Sequence, residues 1–497
     1  MLFRTAATTA VGIIVLAVLG AVLGPQWDPS PLTDPLVVER SSTVIGGPVD
    51  RTPVGTYRVE TEVVDVQLDG AVVQAQISRP VDAPGDLPGV VFVHGAGTGE
   101  FRRAFRVQAH DLASAGIVTL VPNKRLDTYS TRHRDYESMA ADYARSVDVL
   151  RSRDGVDPDR VGVYGESEGA WIAPVMTARD PTLAFAALVS APVVPPRQQA
   201  AYAADNYLRN TGVPDGVFRA IPRAVGMALP GGGFEYADFV VTPFQKRTTQ
   251  PVFVAYGTAD ASLPLVQGAR RIIDDLAEGG NDQVTVRYYA GADHGLRVDG
   301  RVSADLVRDL ARWIDGLPAT VDAAPRIAGG QPYQTFLAEP VATPRWFGDG
   351  DTVVNTVVGG AAAVVVGAVV LLVARFARRE GTGLARGLGG PLLALALGSL
   401  LTVVALVWYL VSVARLALDY ERNAWVVQGG WVGVRLLGVA AVVGAAMLVN
   451  RVGDLRKDEE ATAVDGPAAT VSLVLVSVGS VVLLVMLAYW GVFQLGI

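Results

Sequence analysis

Four apolar stretches of about twenty residues each crowd into the last third of the chain, at about 353–374, 391–413, 430–449 and 470–494. Each is close to the ~20 residues that cross the ~30 Å hydrocarbon core of a bilayer as a helix. Four of them in one block leave almost no polar face to meet water, so they are expected to be membrane spans rather than core helices of a soluble domain. The third carries Arg435 near its start, a residue expected either to snorkel to the interface or to face the bundle. A fifth stretch, ATTAVGIIVLAVLGAVLG at 7–24, is uncharged and follows Arg4. It fits a signal peptide or signal anchor. Pro25 directly after Val22-Leu-Gly24 disfavours processing, so residues 1–26 are expected to stay as an uncleaved anchor.

The flanking charges orient these spans. Arg375, Arg378, Arg379 and Arg386 follow the first C-terminal span, and Arg451, Arg456 and Lys457 follow the third. The loop between, 414–429, mixes Arg415 and Arg422 with Asp419 and Glu421. Positively charged loops stay in the cytoplasm, which puts the segment before residue 351 outside. Arg4 independently gives the same sense at the other end. The expectation is a multi-pass protein of the cell membrane whose middle portion is extracytoplasmic. Small residues such as Gly359, Gly360 and Gly367 suit close packing of such helices. No acidic or histidine side chain sits deep in the spans, so no ion relay is expected.

The 497-residue chain has a net charge of −7 and no long basic run, which argues against nucleic acid as a partner. It has no cysteine, which excludes disulfides, a thiol nucleophile and Cys-ligated zinc. The high use of Ala, Val, Arg, Asp and Gly resembles that of GC-rich bacteria.

The middle of the chain reads differently. Residues 27–54 are rich in Pro and Ser and are expected to be a linker, as are 319–350. YRVETEVVDVQL and AVVQAQISRP flank Asp69-Gly70, the pattern of a β-hairpin. Strand-like and helix-like segments then alternate to residue 318, among them a helix expected over 100–115. That rhythm predicts an α/β domain over 55–318, with a mostly parallel sheet covered by helices on both faces. The stretch at about 195–250 breaks the rhythm and is expected to be an inserted cap. Residues 351–497 form the expected four-helix transmembrane domain.

Gly165-Glu-Ser167-Glu-Gly169 falls where a strand should end and a helix begin, the setting that a nucleophile elbow needs. A serine hydroxyl is a poor nucleophile unless a base lies within hydrogen-bond reach. Of the four histidines, only His294 lies downstream of Ser167, at the carboxyl end of a late strand; His94, His110 and His133 precede it. Asp260, after Tyr256-Gly-Thr-Ala, ends another strand and is the expected acid, with Asp293 in reserve. The acid would fix the tautomer of the base and stabilise its imidazolium. The oxyanion of a tetrahedral intermediate needs backbone donors. These are expected from Glu168 and from Gly95 or Ala96 in the turn after the strand ending near His94, itself expected to be structural.

The chain order Ser, Asp, His, with His94-Gly-Ala-Gly97 upstream and Gly-x-Ser-x-Gly at the elbow, resembles the α/β-hydrolase superfamily. Gly155-Val-Asp-Pro-Asp-Arg-Val-Gly-Val-Tyr-Gly-Glu-Ser-Glu-Gly169 and Tyr256-Gly-Thr-Ala-Asp-Ala-Ser-Leu-Pro264 resemble its bacterial esterase and dienelactone-hydrolase-like branch, which grades into prolyl-oligopeptidase-like peptidases. The resemblance covers about residues 55–318. It implies a Ser167–His294–Asp260 triad, a cap and no cofactor or metal. Two departures stand out: the membrane bundle, and Pro122-Asn-Lys-Arg125 where Asp-Lys-Arg-Gly is often found. The expected activity is serine ester hydrolysis on a small-molecule or lipid ester. A peptidase or acyltransferase of the same fold, or an idle membrane scaffold, remains open.

Overall fold

The computed structural model describes residues 2–46, 52–97, 99–130, 133–228, 236–321, 324–377, 383–418, 421–457 and 462–495. Arg378, Arg379 and Asp419, named above, lie outside them. The chain forms two compact units: Met1–Asp28 with Ala204–Gly233 and Val341–Ile497, and Pro29–Ala203 with Phe234–Pro340.

The chain opens with helix α1 (Leu2–Val22). The α/β unit then runs β1 (Val59–Leu68), β2 (Ala71–Pro80), β3 (Leu87–Val93), α2 (Arg106–Ser114), β4 (Val118–Pro122), α3 (Tyr136–Arg151), β5 (Val156–Glu166), α4 (Gly169–Arg179) and β6 (Ala186–Val189). After α5 (Pro196–Asn210) come β7 (Val252–Gly257), α6 (Leu265–Glu278), β8 (Val284–Tyr289), α7 (Ala304–Asp315) and β9 (Ile327–Gly329). These strands make one nine-stranded sheet in the order β1-β2-β4-β3-β5-β6-β7-β8-β9. β2 is antiparallel to both its neighbours, and every pairing from β4 through β9 is parallel. β1 and β2 pair from Leu68↔Ala71 outward, so Asp69-Gly70 is the predicted two-residue turn.

The central strands read as unbroken apolar runs because both sheet faces are covered. In β3, Val91 and Val93 join a core with Val163, Leu188, Val254, Tyr143 and Trp171. Their neighbours Val90 and Phe92 join a second core with Tyr164, Phe253, Leu112 and Trp313. α3 is fixed at its start by Asp135, whose carboxylate accepts from the Glu137 and Ser138 amides.

Three boundaries differ from the sequence expectation. The segments read as linkers at both ends of the α/β domain join it: Leu32 N donates to Thr335 O, Gly329 N donates to Arg40 O, and β9 pairs with β8. A three-residue edge strand carries no readable alternation, so only its pairing reveals it. α2 starts at Arg106, behind Phe105 at φ 58°, later than the expected start near residue 100. The expected cap at 195–250 is divided. Residues Ala204–Gly233 group with the apolar helices.

In that second unit, α8 (Gly350–Phe376), α9 (Gly389–Leu418), α10 (Gly430–Leu455) and α11 (Pro467–Tyr489) follow. With α1, and with α10 extended by a π turn at Trp425–Gly429, these are five helices long and apolar enough to cross a membrane. α8 packs on α11 where Gly360 and Gly479 face each other, a Cβ on Gly360 meeting Gly479 O at 3.2 Å. Gly367 also sits against α11, whereas Gly359 has nothing within 4 Å and is no packing residue. Arg435 Nη2 donates to Gln494 O at 2.7 Å. Arg223, fully buried, satisfies carbonyls at two helix ends: it donates to Gly20 O (2.9 Å), Gly24 O (3.2 Å) and Tyr489 O. Cations favour the carboxyl ends of helices, which accounts for a buried arginine here.

Candidate active site

The carboxyl ends of β3, β5, β7 and β8 carry the residues that the sequence singled out, as expected of an open α/β sheet. Ser167 lies in the two-residue gap between β5 and α4, with φ 56°. A non-glycine residue in this region is strained and persists only where its surroundings enforce it. The enforcing contacts are visible. Ser167 N donates to Val189 O at 2.9 Å, and Ala170 N donates to Ser167 O at 2.9 Å. A Cβ on Gly165 would strike Gly169 O, and one on Gly169 would strike Val93 O. Both glycines of the motif are therefore demanded by close backbone approach.

The structure brings the three expected side chains together. His294 Nε2 lies 2.9 Å from Ser167 Oγ, and His294 Nδ1 lies 2.8 Å from Asp260 Oδ2. Asp260 is buried; its other oxygen accepts from Ser262 N (2.8 Å) and Ser262 Oγ (2.6 Å). Ser190 Oγ donates to His294 O at 2.6 Å and fixes the loop that carries the imidazole. Asp293, the reserve acid, instead accepts from Arg297 N at 2.8 Å and closes the turn beyond His294. His110 and His133 are exposed and hydrogen-bond locally to Asp111 and Ser130.

Electrostatics suit a base. Burial disfavours imidazolium at His294, but the Asp260 carboxylate beside it outweighs this, so its pKa is raised above 6.5. Burial raises that of Asp260, but His294 and Ser262 outweigh it and hold the carboxyl below its ordinary value. His94 behaves oppositely. Burial is the main cause of its fall to about 4. It stands 2.5 Å from Pro122 O as a neutral ring and packs on Phe105.

Two of the three candidate backbone donors adjoin the serine: Glu168 follows it in the chain, and Gly95 lies beside it. A Cβ on Gly95 would lie 3.3 Å from Ser167 Cβ, so the β3 turn passes beside Ser167. The amides of Gly95, Ala96 and Glu168 have no acceptor among the described residues.

Sequence reasoning missed what the Glu168 side chain does. Its buried carboxylate takes Lys124 Nζ at 3.0 Å, Tyr129 Oη at 3.0 Å, Tyr136 Oη at 3.3 Å and an Arg134 guanidinium nitrogen at 3.2 Å. Lys124 Nζ also donates to Gly95 O at 2.6 Å. One buried ammonium thus ties together the two turns that carry the candidate oxyanion donors. Burial lowers the Lys124 pKa, against the pull of Glu168. Burial is also the largest cause raising the Tyr129 phenol to about 12, so it stays a donor at neutral pH. The departure at Pro122-Asn-Lys-Arg125 was the available signal, but only the fold shows that Lys124 reaches across to Glu168.

A sheet in this order, with one antiparallel strand near its edge, helical crossovers and a serine elbow after β5, defines the α/β-hydrolase fold. No family model matches the chain. Solved structures resemble its α/β part. A dienelactone hydrolase from Anabaena variabilis is 17% identical over 52% of this chain and 97% of its own, with a TM-score of 0.36. A cold-adapted esterase from an Arctic intertidal metagenomic library is 16% identical over 51% and 94%, with a TM-score of 0.33. A puromycin-hydrolyzing peptidase from Mycobacterium tuberculosis is 22% identical over 56% of this chain and 42% of its own, with a TM-score of 0.37. The strand order and crossovers define the fold independently of these likenesses.

Proposed function

We propose that this protein is a membrane-anchored serine hydrolase, acting on carboxylic esters with its α/β unit on the extracytoplasmic side. The observation that carries the proposal is the unbroken chain Ser167 Oγ to His294 Nε2 (2.9 Å) and His294 Nδ1 to Asp260 (2.8 Å). Ser167 Oγ attacks the acyl carbonyl as His294 takes its proton. The amides of Glu168 and of Gly95 or Ala96 receive the developing oxyanion. The tetrahedral intermediate collapses when His294 returns the proton to the leaving alkoxide. Water, deprotonated by His294, then releases the acid from the acyl-enzyme. The residues supply this chemistry without a cofactor.

Fluorophosphonate labelling of membranes containing the protein tests the nucleophile. The native chain labels and Ser167→Ala does not; an unlabelled native chain would favour the idle scaffold. Adding an alcohol acceptor and measuring acid against transferred ester distinguishes hydrolysis from acyl transfer. An amide substrate series tests the peptidase alternative.

The acid limb of kcat/KM is expected above pH 6.5, because His294 must be neutral to act as base and Asp260 favours its protonated form. Activity rises as pH climbs through that raised value. Asp260→Asn should shift the limb downward, and a limb unmoved by this change would dissociate the carboxylate from the base.

Sidedness has a direct test because the chain has no native cysteine. Ser152→Cys, on the exposed end of α3, should react with an impermeant maleimide in intact cells. Lys457→Cys, after α10, should react only once the membrane is opened. The reverse pattern would invert the proposed topology.

A further inference from the structure

The helical unit contains a cavity of about 700 Å³, within the size range of ligand sites. Leu371 and Leu372 of α8, Leu392 and Leu393 of α9, and Ser472 and Val476 of α11 form its walls. Leu372 and Leu393 are more than half exposed, so the cavity opens on an apolar flank of the helices. In a bilayer, that flank faces acyl chains.

One end of the cavity is cationic. Arg375 in the last turn of α8 and Arg386 just before α9 both line it. Both are exposed, and neither pairs with a carboxylate among the described residues. Arg451 adds a third guanidinium beside them, its Nε and Nη2 donating to Arg386 O at 3.1 and 2.8 Å. Gly389 and Gly390, the first residues of the thirty-residue α9, line the same end. Their amides point the positive end of the helix dipole there, the arrangement that binds phosphate at helix starts.

We propose that this cavity binds one phospholipid with a net anionic headgroup. Its phosphate lies between Arg375, Arg386 and the start of α9. Its acyl chains run along Leu371, Leu372 and Leu393. The charge complementarity and the greasy open flank select a lipid over a soluble anion.

The test uses the full-length protein in a nonionic detergent. Bound lipid is counted by native mass spectrometry after incubation with equal phosphatidylglycerol and phosphatidylcholine. The native chain should retain about thirtyfold more phosphatidylglycerol, from Arg375 and Arg386 at ~1 kcal/mol each toward anionic lipid. Arg375→Gln with Arg386→Gln should abolish the preference. Leu393→Trp, at an exposed wall position, should reduce retention of both lipids while leaving the thermal unfolding temperature unchanged. Equal retention of the two lipids by the native chain overturns the proposal. So does a preference that survives the double substitution. Displacement of phosphatidylglycerol by millimolar inorganic phosphate would instead make this a small-anion site, and would overturn the assignment to a lipid.

Discussion

Ser167→Ala is expected to lower kcat on a chromogenic short-chain ester by on the order of 10⁵- to 10⁶-fold, with KM little changed. In the proposed mechanism the hydroxyl is the attacking atom, and nothing else within the elbow can replace it. Asp260→Asn should cost less, about 10⁴-fold, because the ring remains but its tautomer and charge are no longer supported. Ser262 bears on that comparison. It donates two hydrogen bonds to Asp260 Oδ1, and its hydroxyl also lies 3.1 Å from His294 Nδ1. The double variant should be no worse than Ser167→Ala alone, since the residues act as one unit. If Ser167→Ala retained even a hundredth of the native rate, the nucleophile would lie elsewhere.

The second large effect is expected away from the reacting atoms. Lys124→Met leaves the buried Glu168 carboxylate without its ammonium and frees Gly95 O. Breaking one side of a buried pair costs about 3–5 kcal/mol, and Arg134 with two tyrosines should hold the loss to the lower end, ~3 kcal/mol. In the full chain this should appear as a fall of several degrees in unfolding temperature. Adding Glu168→Gln removes the stranded charge and should restore part of that loss, a coupling that the double-mutant cycle reads directly. Activity should behave differently. Both variants should lose kcat with KM nearly constant, because the two candidate oxyanion turns are no longer tied together. An unchanged unfolding temperature in Lys124→Met would show that the pair does not hold the elbow.

The α/β reading and the site residues were accessible because each rests on local rules. Apolar runs mark strands covered on both faces, and the strained serine turn demands glycines at fixed offsets. The chemistry also narrows the base to few candidates, since His294 is the only histidine downstream of Ser167. The cap was less accessible. Helix-forming and aromatic residues in 195–250 do not reveal what they pack against. Tyr207 donates to Glu421 O at 3.1 Å, and Arg223 serves Gly20 and Gly24, all within the helical unit. Such partners are about two hundred positions away in the chain.

The sequence by itself determined the five apolar helices, the alternation of strand and helix, and the placing of Ser167, Asp260 and His294 at strand ends. All follow from periodicity, length and short-range steric demand, which neighbouring residues carry between them. Tertiary structure alone decided that β9 joins the sheet and that Lys124 spans Gly95 and Glu168. Each of those depends on distances between segments remote in sequence, set by how the strands order themselves and not by any local preference.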